Sequence, residues 1–263
     1  MAPILAFDIE TVPDCPGIRR LYALPETLPD HEVAEVAFQK RRAVSGNDFL
    51  QPHLQRVVAI ACVMRDAEGV RVWSLGAPED PERALIQRFY DGIERYTPQL
   101  VSWNGGGFDL PVLNYRALLH GVNAARFWES GDEDRDFRWN NYTSRYHTRH
   151  LDLMDVLAMY QPRNNSPLDD VAQLAGLPGK IGLLGSAVWE EFRAGGIARI
   201  RSYCEADTAN TYLLFLRYQV LRGAITLEHY RRECGALRAA LEKLALPHWQ
   251  EFLSRWNDPL LAA

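Results

Sequence analysis

The chain has 263 residues, of which 47% are hydrophobic and 24% charged, and its formal net charge is −5. That hydrophobic share excludes a largely disordered chain and is ample for one large core. The acidic balance excludes coating of duplex DNA by bulk charge, while a local basic groove stays open.

Cys15, Cys62, Cys204 and Cys234 are scattered with no Cys-x-x-Cys pair, which points away from a zinc site or a disulfide framework and toward a reducing compartment. The longest apolar run, Val57 to Met64, is too short to span a membrane. The first charge is Asp8, so the N-terminus lacks the basic region of a secretory signal. A soluble cytoplasmic protein without a membrane partner is expected.

Ile4, Leu5, Ala6, Phe7 and Ile9 form an apolar run of strand length, of the kind covered on both faces. Side chains alternate along a strand, so Asp8 and Glu10 point the same way. Two like charges at a buried strand end repel, and no Lys or Arg precedes Arg19. A hard divalent cation would compensate them; the alternative is an exposed pair on a sheet edge or loop.

Residues 12–56 read as a helical insertion. Pro13, Pro16, Pro25 and Pro29 break its early part, and a helix follows from Asp30 to Arg42 with Asp30 as expected N-cap. It either covers the mouth of a site or stands as a solvated flap. Val57–Met64 and Val70–Leu75 are two strands joined by a polar link ending in Gly69, an antiparallel meander with the first strand. Ala84, Leu85, Phe89 and Ile93 give a helix period over Pro81–Tyr96, and Gln99–Trp103 is a short strand. Asn104-Gly105-Gly106-Gly107-Phe108-Asp109 follows. Pro111 suits the first turn of a helix running to Leu119, and Gly121 its stop.

Residues 129–150 are expected as a mobile loop. Arg135, Arg138, Arg145, Arg149, His147 and His150 alternate there with Phe137, Trp139, Tyr142 and Tyr146. Arginines among aromatics suit a single-stranded nucleic acid, which needs phosphates neutralised and bases stacked. Local packing of the aromatics is the equal alternative. His150–Met154 reads as a last short strand, with Asp152 a helix cap rather than a ligand. Helices are expected at about 167–176, 186–194, 197–220 and 226–245, with residues 221–263 a helical extension packed on the domain formed by 1–220.

Within the third of these helices, Tyr203 and Asp207 stand four apart on one face. The chain thus carries Asp-x-Glu on a first strand, Asn-x-x-x-Phe-Asp at a strand–helix junction, and Tyr-x-x-x-Asp on a C-terminal helix. The later motifs add two acids and a tyrosine but no basic partner, so the acids are expected to crowd together with too few Lys or Arg to balance them. Together the three motifs resemble the DEDD superfamily of 3′→5′ exonucleases, in its Tyr-containing branch. Phe7 to Asp14 and Ser102 to Leu113 are similar to the bacterial stand-alone exonucleases related to the family-B DNA polymerase exonuclease domain. The His-type branch places histidine five residues before the last Asp, where Ser202 stands here.

The resemblance implies an α/β, RNase H-like fold, with a mixed central sheet of about five strands and helices on both faces. It implies two Mg2+ or Mn2+ ions held by Asp8, Glu10, Asp109 and Asp207, with Asp8 bridging them. Tyr203 would orient the attacking water. The substrate would be the 3′ end of a single-stranded nucleic acid, DNA favoured, releasing nucleoside monophosphates. Thr11, Asn104, Phe108, Arg138, Trp139 and Arg145 are the candidate substrate contacts, with core packing an equal alternative for Phe108. A non-catalytic nucleic-acid-binding module and an RNA- or short-oligonucleotide-specific enzyme are the competing functions. A degenerate binding module would have lost ligands, whereas all four acids and the tyrosine stand in this chain.

Overall fold

The computed structural model describes residues 3–261. Its strands are β1 (Ile4–Pro13), β2 (Gln55–Asp66), β3 (Gly69–Ser74), β4 (Gln99–Ser102) and β5 (His150–Asp152). They form one sheet in the order β3-β2-β1-β4-β5. β1, β2 and β3 pair antiparallel, whereas β4 and β5 add in parallel on the far side of β1. An antiparallel meander followed by parallel crossovers in this order is the RNase H-like arrangement.

The helices, in chain order, are α1 (Cys15–Tyr22), α2 (Asp30–Ser45), α3 (Glu82–Tyr96), α4 (Asp109–His120), α5 (Ala125–Trp128), α6 (Leu153–Leu157), α7 (Leu168–Leu174), α8 (Val188–Arg193), α9 (Ile197–Leu221), α10 (Leu227–Leu244) and α11 (Pro247–Arg255). Strand alternation divides them between two faces. Ile4 and Ala6 join Leu213, Phe215, Leu237, Trp249 and Phe252 in a core beneath α9, α10 and α11. Leu5, Phe7 and Ile9 join Phe89, Ile93 and Leu113 in a second core beneath α3 and α4. The C-terminal helices therefore complete the same domain core. Burial of an aromatic or aliphatic side chain there is worth about 1.5–3 kcal/mol.

Several boundaries differ from expectation for local reasons. β1 continues to Pro13 because β2 keeps pairing with it as far as Pro13↔Gln55. Asp30 is not the N-cap of α2. Pro29 holds that position, and Asp30 sits in the first turn with its carboxylate 2.8 Å from Arg19 Nη2. The expected strand His150–Met154 stops at Asp152, whose side chain accepts from Asp155 N and starts α6. The helix expected from 186 is a 3-10 turn, Gly185–Ala187, leading into α8. The insertion holds a small core of its own, with Ile18, Val33, Ala34, Ala37 and Leu50 buried together.

The stretch over 129–150 is anchored by buried Phe137 and Tyr142, and Tyr142 Oη donates to the Pro98 carbonyl at 2.7 Å. Among the described residues no helix is long and apolar enough to cross a membrane. The C-terminal ends of β1, β4 and β5 open at one end of the sheet, the position at which open α/β sheets place their sites.

Candidate active site

Asp8 and Glu10 lie on the α9 side of β1. Across β2 they face Ala61 and Ala59, both fully buried. Two alanines there leave room for side chains of α9, and Tyr203 and Cys204 pack into the same cluster. After Glu10 the register shifts, so that Glu10 pairs with Ala59 but Thr11 with Val57. Irregularities of this kind re-aim side chains beside functional sites.

α9 brings Tyr203, Cys204 and Asp207 against this strand, all three buried. Cys204 Sγ is 3.4 Å from the Asp8 carbonyl and 3.5 Å from Asp8 Oδ2. One ligand atom each from Asp8, Glu10 and Cys204 lie within 4.8 Å of one another.

Asp109 arrives from the other face, as the first residue of α4. β4 pairs with β1 only up to Ala6, and beyond it Asp109 Oδ1 accepts from Ile9 N at 3.1 Å. The second motif is thereby fastened between the two acids of the first.

The Asn104–Phe108 loop delivers Asp109 through a tight turn. Asn104 has φ 66, a left-handed conformation that Asn tolerates. Glycines follow because a Cβ on Gly105 would stand 2.3 Å from Ser102 Oγ, and one on Gly107 2.4 Å from Asn104 Oδ1. Asp152 holds the loop from β5, its carboxylate accepting from Asn104 N and Gly106 N at 2.9 Å each. Asp152 therefore caps α6 and supports the second motif at once.

A cation missing from the local sequence arrives through the fold. Asn210, three residues beyond Asp207 on α9, accepts from Gly179 N at 3.2 Å and donates to the Gly179 carbonyl at 2.8 Å. Asp169 accepts from Lys180 N at 2.7 Å. This fixes Lys180 with its ammonium 5.5 Å from the Tyr203 ring centroid, where it lowers the pKa of Glu10 and of Asp207. No periodicity marks Lys180. Its only sequence signal is rarity, as one of three lysines in an arginine-rich chain.

One ammonium does not balance four carboxylates. Burial first, then Asp109, Glu10 and Asp207, raises the Asp8 pKa well above the usual range. Burial, then Asp207 and Asp109, does the same to Glu10. Burial pushes Asp109 up to about 7, against the hydrogen bonds from its own backbone and from Ile9. Asp207 rises to about 6, again chiefly by burial. The Tyr203 phenol is held protonated by burial and by Asp207, Glu10 and Asp8 around it. It can position a water but is no base.

Asp207 Oδ1 is buried with no hydrogen-bond partner among the described residues. A buried carboxylate oxygen without a donor is costly, and hard divalent cations favour carboxylate oxygens. The acidic donors gathered here suit a divalent cation, and Asp8 and Glu10 are the carboxylates whose ligand atoms lie within 4.8 Å of one another.

The candidate substrate contacts divide by location. Phe108 is adjacent to Asp109; its ring packs on the α3–α4 core and lies 5.1 Å from the ring of Phe49. Asn104 lines the same loop. Thr11 Oγ1 donates to Gln55 Oε1 at 2.9 Å, which ties β1 to the insertion.

Arg138, Trp139 and Arg145 lie in the irregular stretch that precedes β5. Trp139 is 82% exposed. Arg145 is engaged by Asp155, Nη2 to Oδ1 at 2.6 Å, with its guanidinium beside Tyr146 and Tyr160.

Residues 47–256 match the family described as a predicted 3′-5′ exonuclease related to the exonuclease domain of PolB. The chain belongs to this family. A curated relative is the catalytic chain of DNA polymerase epsilon from Aspergillus fumigatus, 26% identical over 228 residues. The match covers 82% of this chain but only 9% of the polymerase. Among solved structures, the family B DNA polymerase of Pyrobaculum calidifontis matches at TM-score 0.47 and 18% identity, over 80% of this chain and 24% of that one. The exonuclease-family chain thus spans only a small part of either polymerase.

Proposed function

We propose that this chain hydrolyses phosphodiester bonds from the 3′ end of single-stranded nucleic acid, DNA favoured, and releases nucleoside monophosphates. The observation that carries this reading is the gathering of acids at the end of β1: Asp109 is bonded to Ile9 N, Asp109 and Asp207 both raise the pKa of Asp8 and of Glu10, and the buried Asp207 Oδ1 is unpartnered among the described residues. Membership of the exonuclease family supports it. The preference for DNA draws support from the polymerase relative alone.

Two Mg2+ or Mn2+ ions, held by these four acids, would supply acidification of a water and neutralisation of phosphate charge. The chain's own groups do the rest. Tyr203, kept protonated, donates or accepts one hydrogen bond that orients the water for in-line attack. Lys180 offers a positive charge to a phosphate oxygen on the α9 side. Asp109, tied to Ile9 N, keeps the two faces of the site in register. The Asn104–Phe108 loop presents a backbone turn and the Phe108 ring to the terminal nucleotide.

The test is digestion of matched 3′- and 5′-labelled DNA and RNA oligomers, single- and double-stranded, with Mg2+, Mn2+ or EDTA. The expected result is a ladder shortening from the 3′ end, seen with metal and abolished by EDTA. Loss of nucleotides from the 5′ end, or activity indifferent to EDTA, would overturn the proposal. Faster turnover of RNA would move the substrate class while leaving the chemistry in place.

A further inference from the structure

The insertion between β1 and β2 carries one aromatic ring to the second motif. α2 ends at Ser45 and is capped by Gly46, whose φ of 76 suits glycine, and Asn47 Oδ1 then accepts from Phe49 N at 3.1 Å. Arg41 Nε donates to the Phe49 carbonyl at 2.9 Å. The next residue, Leu50, is buried in the insertion's core. Its carbonyl accepts from Gln55 Nε2 at 3.1 Å, and Gln55 Oε1 accepts from Thr11 Oγ1.

Thr11 follows Glu10 directly, so this loop is tethered to the catalytic strand. Phe49 is pinned by its backbone on both sides, yet it is 59% exposed. Its ring lies 5.1 Å from Phe108 at an angle of 49°, and Phe108 directly precedes Asp109. A single exposed apolar residue on a surface is ordinary. An exposed ring fastened at its backbone beside the reacting groups, and backed by a second ring, is a stacking platform. A second aromatic contact joins the insertion to α4, with His53 and Tyr115 6.0 Å apart edge to face. Tyr115 is 48% exposed on α4.

We propose that Phe49 is a specificity-determining residue against which a base near the 3′ end of an unpaired strand stacks, with Phe108 behind it. This rests on the exonuclease reading above. Stacking on a π-face is tolerant of sequence and requires an unpaired base, so the insertion would favour single-stranded ends over paired ones.

Steady-state hydrolysis is compared for the wild type, Phe49→Ala and Phe49→Trp, on a single-stranded DNA oligomer and on the same oligomer with its last two nucleotides abasic. Phe49→Ala is expected to raise KM about tenfold on the normal oligomer with little change in kcat. Phe49→Trp should restore it. On the abasic oligomer the wild type and Phe49→Ala should behave alike, and the melting temperatures of all three proteins should coincide. An unchanged KM for Phe49→Ala, or an equal loss on both oligomers, would overturn the inference.

Fluorescence anisotropy with the same two oligomers, read in EDTA, separates the two readings. A wild type that binds in EDTA yet does not cleave when metal is added would sink the exonuclease reading. The tenfold affinity ratio between wild type and Phe49→Ala would still decide the role of Phe49. Absence of binding to either oligomer would overturn both.

Discussion

Asp14 and Glu82 are as deeply buried as Glu10 and Asp109, with exposures of 6%, 7%, 8% and 4% respectively. Both pairs involve the region where β1 ends, but their surroundings differ. Arg116 lies between Asp14 and Glu82, with Nη1 2.5 Å from Asp14 Oδ2 and Nε 2.7 Å from Glu82 Oε1. Val57 N donates to Glu82 at 2.7 Å and His120 Nε2 lies 2.8 Å from its other oxygen. That cluster joins the insertion, α3 and α4 into one unit. Among the described residues the Asp8–Glu10–Asp109–Asp207 cluster has Lys180 set against it, and the neighbouring acids raise the pKa of Asp8 and Glu10. Burial of carboxylates by itself thus says little about function. What separates the two clusters is whether the fold supplies their counter-charge or leaves it to a ligand.

Substitution on each side should break this comparison in opposite directions. Asp8→Asn keeps shape and removes a ligand charge. Hydrolysis should fall about a thousandfold or more, roughly 4 kcal/mol of transition-state stabilisation. The metal-free protein should melt no lower than wild type, because a like-charge repulsion has gone. Initial rates with Mn2+ and a melt in EDTA check both parts, and a clear loss of stability would count against a repulsive cluster.

Arg116→Met should do the reverse. It strands Asp14 and Glu82 without their partner and should cost about 3–5 kcal/mol of folding stability, with or without metal. Urea denaturation measures it, and a variant as stable as the wild type would show that the network is not structural.

A smaller effect sharpens the contrast through pH. Asp109 is pushed up to about 7 and Asp207 to about 6, above their values in the unfolded chain. In the metal-free protein the resulting contribution to stability is complete below about pH 4 and is lost as pH rises through 6 to 7. Metal takes the place of those protons. The rise in melting temperature on adding Mn2+ should therefore be near zero at about pH 5 and grow to several degrees by about pH 8, at roughly 2–4 °C per kcal/mol for a chain of this size. An increment that is equal at both pH values would contradict the assignment of these acids as the ligands.

How much of this was legible beforehand depended on the range of the signal. The apolar run before Asp8, the helix period of α3 and the Tyr203–Asp207 spacing each lie within a few residues, and the structure shows each element. The pairing of Arg145 with Asp155 reaches across β5 to α6, and nothing in the alternation of Arg with aromatics revealed it. The reading that later stretches supply no basic partner needs correction, since Lys180 reaches the acids, whereas one ammonium among four carboxylates agrees with the expectation of too few cations to balance them.

By itself the sequence determined the core strands and the longer helices, the order of the three acidic motifs, and that Asp8 and Glu10 share one side of β1. These follow from side-chain alternation and helix periodicity, which are local. Only the tertiary structure decided what faces that side. Asn210 sets Lys180 toward Asp207, Asp152 holds the glycine turn that delivers Asp109, and Arg41 and Asn47 hold the Phe49 backbone beside Phe108. Hydrogen bonds and charges are satisfied between whichever groups the packed chain brings together, and separation along the sequence places no limit on that choice.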